Sequence, residues 1–493
     1  MSRSSRVGLA LLASAGALGI LGDALFQGQP LGLNVLLWSV AFAVALTALL
    51  RLARAPLHQG RRFMVAPLVV FSTLFLWHDS PLIVAANLLA LAAAVTMGAL
   101  RRTRPRLRAA TLSDFGGGAL AAGCSLLAGS FALLLSDIDW RTVAGRARSE
   151  RALAITRGLA IGAPLVLLFG GLFVAADAVF QSLASSLVPT LGPGWVERAV
   201  IVGVWSWLAA GLLRDLLTAR ERERLVRADA LRGRVRLRIG AVEACIALAI
   251  VDLVFLAFVL VQFRYLFGGR SLVAARTHLT YAQYARHGFF ELVAVAALTL
   301  PLLLAGDWLL RANERGRRLF RALAVVLLAL LFVVIASALQ RLRLYVQEFG
   351  LTELRLYAAG VILWIAAVCV WFGATVLRGR RHAFAVGALV LGFVATLALN
   401  VVNPDALIAR TNLGRSHVDV GYLAGLSDDA VPALVAGLDR LQPAQRRFLA
   451  AELAHRQPGS PDWRSWNLSR SRAAAVLERN RARLTRSGVR PQP

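Results

Sequence analysis

Lysine is missing altogether: all 55 basic residues are arginine. We read that exclusivity as codon bias in a GC-rich bacterial genome. Charge of either sign is scarce, at 17% of 493 residues, and only 27 residues are acidic. So little charge excludes a soluble enzyme of two or three domains, which could not cover its apolar surface with polar groups. It excludes disorder for the same reason. Cysteine is nearly absent. Cys124, Cys245 and Cys369 lie within apolar runs, far apart, with no C-x-x-C and no metal spacing. Neither disulfides nor zinc are expected, and no cofactor is implied. G-x-x-x-x-G-K-[ST], H-E-x-x-H and G-x-S-x-G are also missing, so ATP hydrolysis and the usual zinc or serine hydrolase chemistry are not expected.

Long hydrophobic runs are what the chain has in quantity: 58% of it is hydrophobic, with a mean hydropathy of +0.65. A hydrocarbon core of ~30 Å takes ~20 apolar helical residues to cross. Runs of about that length are Val7–Phe26, Leu31–Leu50, Phe63–Trp77, Pro81–Leu100, Gly116–Ser136, Gly158–Phe180, Trp195–Leu213, Ile239–Phe263, Gly288–Leu310, Ala322–Leu339, Leu356–Leu377 and Ala383–Val402. The expected fold is an all-α polytopic transmembrane bundle of 11–12 spans over residues 1–402. Arg3 and Arg6 ahead of Ala13-Ser14-Ala15 mimic a signal peptide. The run continues past that point to a turn at Gly28-Gln29-Pro30, so an uncleaved helical hairpin is expected.

A formal charge of +28 would point to nucleic acid in a soluble chain. Between apolar runs it is the positive-inside signal instead, and no nucleic-acid partner is expected. The N-terminus holds 2 arginines, Arg51–Arg62 holds 4 and Arg101–Arg108 holds 5, while the first and third loops hold none. That places the N-terminus in the cytoplasm. From the sixth span onward, alternate loops carry 17 arginines on one face and 7 on the other, and the richer face should be cytoplasmic. Twelve plain crossings contradict this, so parity must break between residues 101 and 157. Gly116–Ser136 opens with Gly116-Gly117-Gly118 and has 5 arginines on each flank. It is expected to re-enter or lie at the interface. Loops six, eight and ten and the C-terminal tail then share the extracytoplasmic face.

Residues 403–493 carry 14 arginines, 8 acids and no run long enough to span. Ser427-Asp428-Asp429 reads as a helix start, followed at helical spacing by Val431, Leu434, Val435, Leu438 and Leu441. Pro443 opens a second helix and Ala473 to Leu484 reads as a third, polar one. We expect a small helical appendage packed as a cap on the bundle, with disordered last residues.

Ionisable groups inside spans cost ~2.5–3.5 kcal/mol at the bilayer centre. Asp23, Asp177, Glu291 and Asp307 fall near span ends, where caps or arginine partners explain them. Glu243 and Asp252 are the candidate buried acids, and Asp252 should pair inside the bundle. Loop eight is the densest polar and aromatic stretch, with Arg264, Tyr265, His278, Tyr281, Tyr284, Arg286, His287 and Glu291. Loop ten adds Arg341, Tyr345, Thr352 and Arg355. Tyr and Arg anchor ordinary interfaces, but this density suits a pocket for an anionic or sugar-bearing headgroup, with Asp177 on the same face.

The segments ADAVF (Ala176–Phe180), QFRYLFGG (Gln262–Gly269), LTYAQYARHGFFEL (Leu279–Leu292), RLRLYVQEFGLTELRL (Arg341–Leu356), NPDALIARTNL (Asn403–Leu413) and DVGYLAGLSDDAVPAL (Asp419–Leu434) resemble an uncharacterised bacterial integral-membrane family. It is the domain of unknown function 4173 group, with its 4153 relatives. The resemblance implies a multi-span bacterial inner-membrane protein and brings no activity, ligand or catalytic residue.

Three functions fit. The first is an envelope binding, accessory or sensory protein whose outer face recognises a lipid or glycan headgroup or an envelope protein, alongside the membrane lipids. The second is a secondary transporter using Glu243 and Asp252, though no internal repeat or pair of broken helices is seen. The third is a membrane-embedded enzyme acting on a lipid-linked substrate, with Asp177 or Glu291 as base.

Overall fold

The computed structural model describes residues 3–54, 59–100, 129–138 with Gly123 and Leu126, 195–217, 239–267, 289–311, 314–456 and 462–488. Lipid offers no partner to a free amide or carbonyl, so apolar spans bond internally as helices. They are α1 (Arg3–Phe26), α2 (Leu33–Leu52), α3 (Gln59–Leu74), α4 (Pro81–Leu100), α5 (Trp195–Leu217), α6 (Ala241–Phe267), α7 (Phe289–Leu309), α8 (Glu314–Phe349), α9 (Glu353–Thr375) and α10 (Arg381–Val402). Among the described residues, 7 helices are long and apolar enough to cross a membrane, and α3, α4 and α7 contain shorter apolar stretches. The chain is an all-α, multi-pass membrane helix bundle. The candidate span Gly158–Phe180 and most of Gly116–Ser136 lie outside the described residues.

Helix α8 is the axis of the C-terminal half. Its 36 residues run about 54 Å, well past a ~30 Å hydrocarbon core. Phe320, Ala324, Leu327, Leu331, Val334, Ala338 and Leu342 recur on its buried face, where α6, α7 and α9 pack. Ile239–Gly240 (β1) pairs in parallel with Leu310–Arg311 (β2). Helices α6 and α8 therefore leave from the same end, and α7 returns between them.

In the N-terminal half α1 and α5 run antiparallel along a glycine seam. A Cβ on Gly19 would fall 1.9 Å from Ser206 Oγ and 2.6 Å from the Val202 carbonyl. Phe26 stacks on Trp205 at 4.8 Å, and Arg198 Nε donates to Gln27 Oε1 at 3.0 Å. At the far end Arg214 pairs with Asp137, and Ile138 lies against Gly8.

The two ends differ in charge. One gathers the turns 27–32 and 75–80, which contain no arginine, with the α8–α9 turn and the end of α10. The other receives the N-terminus, the ends of α2, α5, α7 and α9 and the starts of α3, α6, α8 and α10, with Arg51, Arg54, Arg214, Arg311, Arg378 and Arg381 among the described residues there. Helix α4 ends on the arginine-rich side, and Asp137 and Ile138 lie there too, beside Arg214 and Gly8. Re-entry of Gly116–Ser136 would require that arrangement.

Residues after 402 form α11 (Pro404–Asn412), α12 (Val420–Ala424), α13 (Val431–Gly437), α14 (Pro443–His455), α15 (Leu468–Arg479) and α16 (Arg481–Gly488). Asn403 makes the elbow. At φ 49° it is left-handed, and its side chain caps α11 by accepting from Ala406 N. The tail has its own core of Ile408, Leu423, Val431, Leu434, Leu449, Leu453, Ala473 and Leu477, onto which Leu351 and Leu356 of the bundle pack. The expected third helix is two, divided at Asn480.

Candidate functional site at the tail and bundle junction

The tail meets the bundle through buried polar groups. Asp429 of the Ser427-Asp428-Asp429 segment receives the N–H groups of Asp79 and Ser80 at 2.8 and 2.9 Å, at the start of α4. Its other oxygen lies 2.7 Å from His78 Nδ1, and His78 Nε2 lies 2.7 Å from the Asn400 carbonyl. A carbonyl only accepts, so Nε2 carries a proton. Burial opposes the charge on Asp429, yet the His78 hydrogen bond and charge, the Asp79 amide and Ser469 hold its pKa below the ordinary carboxylate value. The His78 ring thus bridges the Asp429 carboxylate on the tail and the Asn400 carbonyl at the end of α10.

Neighbouring groups extend the joint. Asn467 donates to the carbonyls of Phe75 and His78 at 2.8 Å and caps α15 with its oxygen. Arg470 pairs with Asp79 at 2.5 Å and donates to the Leu31 carbonyl at 2.8 Å. Burial lifts the Asp79 pKa to about 6 against the pull of Arg470. Burial also raises Asp428, which pairs with Arg456 at 3.0 Å. Asp405 is fully buried and receives the Ser427 amide and hydroxyl, and desolvation raises its pKa too. Loop ten is held by Asn412, which exchanges two hydrogen bonds with Leu351, and by Arg415, which donates to the last carbonyls of α8.

The sequence candidates fall unevenly about this joint. Arg355 lies over the Tyr345 ring at 4.0 Å, Tyr345 meets Phe349 edge-on at 5.1 Å, and Arg355 also donates to the Gly350 carbonyl. Thr352 precedes α9 as its N-cap without a side-chain capping bond. Glu353 N donates to the tail's Tyr422 hydroxyl at 2.8 Å. Arg341 is half-buried on the last turns of α8. Asp177, His278, Tyr281, Tyr284, Arg286 and His287 lie outside the described residues, and so do the side chains of Arg264, Tyr265 and Glu291.

Of the two candidate buried acids, Glu243 is exposed. It sits in the first turn of α6 and accepts from Gly240 N at 2.5 Å, because helix starts favour acids and the apolar window reached one turn too far. Asp252 is buried on the stripe Cys245, Leu248, Asp252, Val259 that faces α8. Neither of its oxygens has a hydrogen-bond partner among the described residues. Asp307 pairs with Arg381 at 2.7 Å, an arginine partner of the expected kind.

His78, Asp79, Asp405, Asn467 and Arg470 were not singled out from the sequence. The available signal was His78-Asp79-Ser80, a polar triplet in a loop without arginine, opposite an acidic pair expected only to start a helix.

A family model described as "Domain of unknown function (DUF4153)" matches residues 65–437. The chain belongs to that family. The matched stretch begins within α3 and ends in α13, so it spans both sides of the joint between His78 and Asp429. A search of the curated proteins found no match, and neither did a search of the solved structures.

Proposed function

We propose that this is an envelope recognition or accessory protein of the bacterial inner membrane, its tail presented on the extracytoplasmic side. One observation carries the reading. The tail is fastened by buried, charged hydrogen bonds to the end whose turns 27–32 and 75–80 have no arginine, while arginine crowds the connectors at the other end. Cytoplasmic loops hold the arginine excess, so the tail faces away from the cytoplasm. No catalytic constellation competes with a binding role among the described residues. The resemblance to the 4173 group fits the same reading.

Single thiols introduced as Ala275→Cys and Asp439→Cys, in a chain with its native cysteines replaced, test this in intact cells. Both should react with a membrane-impermeant maleimide. If either one reacts only after permeabilisation, the assignment fails.

Asp252 supports a second reading, a proton-linked carrier, since an unpartnered carboxylate between helices suits proton exchange. Reconstituted protein would then show proton-coupled flux that Asp252→Asn abolishes.

A further inference from the structure

Beside the His78–Asp429 pair lies a pocket of 170 Å³. Its wall comprises Trp77, Asn403, Arg410, Ser469 and Arg472. Arg410 and Arg472 are exposed, and among the described residues neither has a hydrogen-bond or ion-pair partner. They stand on α11 and α15, helices capped by Asn403 and Asn467, whose first turns border the same space. Asp429, which also borders the pocket, has both oxygens occupied, one by the His78 ring and the other by the amides of Asp79 and Ser80. Arg410, Arg472 and the capped first turns of two helices thus border one small polar cavity.

Size narrows the ligand. A water takes ~30 Å³ of liquid volume and drug-sized ligands need ~300–1,000 Å³, so this cavity has room for one tetrahedral oxyanion. Trp77 is 40% exposed and stacks on His78 at 5.1 Å, at the end of α3. A tryptophan there marks the headgroup level. Guanidinium forks bind phosphate oxygens in pairs.

We propose that this pocket binds a phosphate oxyanion, presented by an anionic phospholipid headgroup or by a free phosphate, with Arg410 and Arg472 as the binding residues. The proposal deepens the recognition role above and names its ligand chemistry.

The test uses the purified full chain in a non-ionic detergent. Binding of dihexanoyl phosphatidylglycerol and, separately, of inorganic phosphate is measured by calorimetry. Arg410→Gln with Arg472→Gln is compared with Arg447→Gln plus Arg479→Gln, which removes the same charge from exposed tail positions. Each charge-assisted contact is worth roughly tenfold or more, so the pocket pair should lose on the order of a hundredfold while the control pair keeps its affinity. Loss with the lipid alone identifies a headgroup site. Loss with both probes identifies the phosphate itself as the ligand. No binding of either probe, or equal loss in both double variants, overturns the proposal. The pocket arginines hold no partner, so unchanged thermal unfolding of the variant is expected and separates lost binding from lost fold. The assay is blind to which side the tail faces, so its failure leaves the thiol-labelling result intact, and the reverse also holds.

Discussion

Replacing Asp429 with alanine isolates the joint between tail and bundle. The substitution leaves the buried His78 ring, 3% exposed, without its carboxylate partner. It also strips the Asp79 and Ser80 amides of their acceptor. Each of these three buried groups left without its partner costs ~1–3 kcal/mol unless water reaches it. Water can reach the vacated space from the adjoining pocket, so we take ~3–5 kcal/mol for the whole change. At ~1.4 kcal/mol per decade, amide exchange in α13 and α15 should quicken by about a hundred- to a few-thousandfold. Hydrogen exchange with mass spectrometry on the full chain in detergent measures this directly. Asp439→Ala is the control, since that carboxylate is 71% exposed and its pairs with Arg446 and Arg483 lie on the surface, where they are worth ~0–1 kcal/mol. Exchange in Asp429→Ala within tenfold of the parent would refute the claim that this carboxylate holds the tail down.

Other expectations follow from the same geometry. Because Asp79 has a pKa of about 6 in the fold against 3.8 unperturbed, the folded state binds that proton more tightly. Its contribution to stability therefore falls as pH rises from about 4 to about 6. Thermal unfolding across that range should show a shallower decline in Asp79→Asn, and an equal or steeper one would count against the assignment. Gly19→Ala forces a Cβ into Ser206 and the Val202 carbonyl. It should cost ~1–3 kcal/mol, seen as a lower unfolding temperature, and unchanged unfolding would mean that α1 and α5 are not closely packed. Asp252→Leu removes two unpartnered buried oxygens and should stabilise by ~1–3 kcal/mol. A destabilised variant would reveal a partner for Asp252.

Hydrophobic length alone made the bundle legible. The window Pro81–Leu100 coincides with α4, and the windows for α1, α2, α5, α9 and α10 lie within a few residues of the helices. Helix α8 shows where the rule stops. Its window was Ala322–Leu339, yet the helix runs from Glu314 to Phe349, because its ends carry arginines and glutamates that a span excludes but a helix leaving the bilayer tolerates. Glu243 shows the reverse, an acid counted inside a span that belongs to the first turn. The Tyr345, Phe349 and Arg355 cluster was half visible, since i, i+4 spacing brings the two rings together and the break at Gly350 turns Arg355 back over them. The joint itself was not legible. His78 and Asp429 are 351 positions apart, and no local periodicity records a contact between a short loop and a helix start at that separation.

The tail's bonds to Leu31, His78 and Leu351 have a consequence for assembly. Elsewhere the halves meet chiefly where α4 lies against α10, Phe71 against Phe393, and His78 and Asn87 against Asn400. The segment that staples them together leaves the ribosome after every helix it joins. Insertion of the spans and locking of the finished bundle are therefore separate events in time. A nascent chain halted before residue 403 would hold α1 to α10 while its two halves still lacked their common clasp.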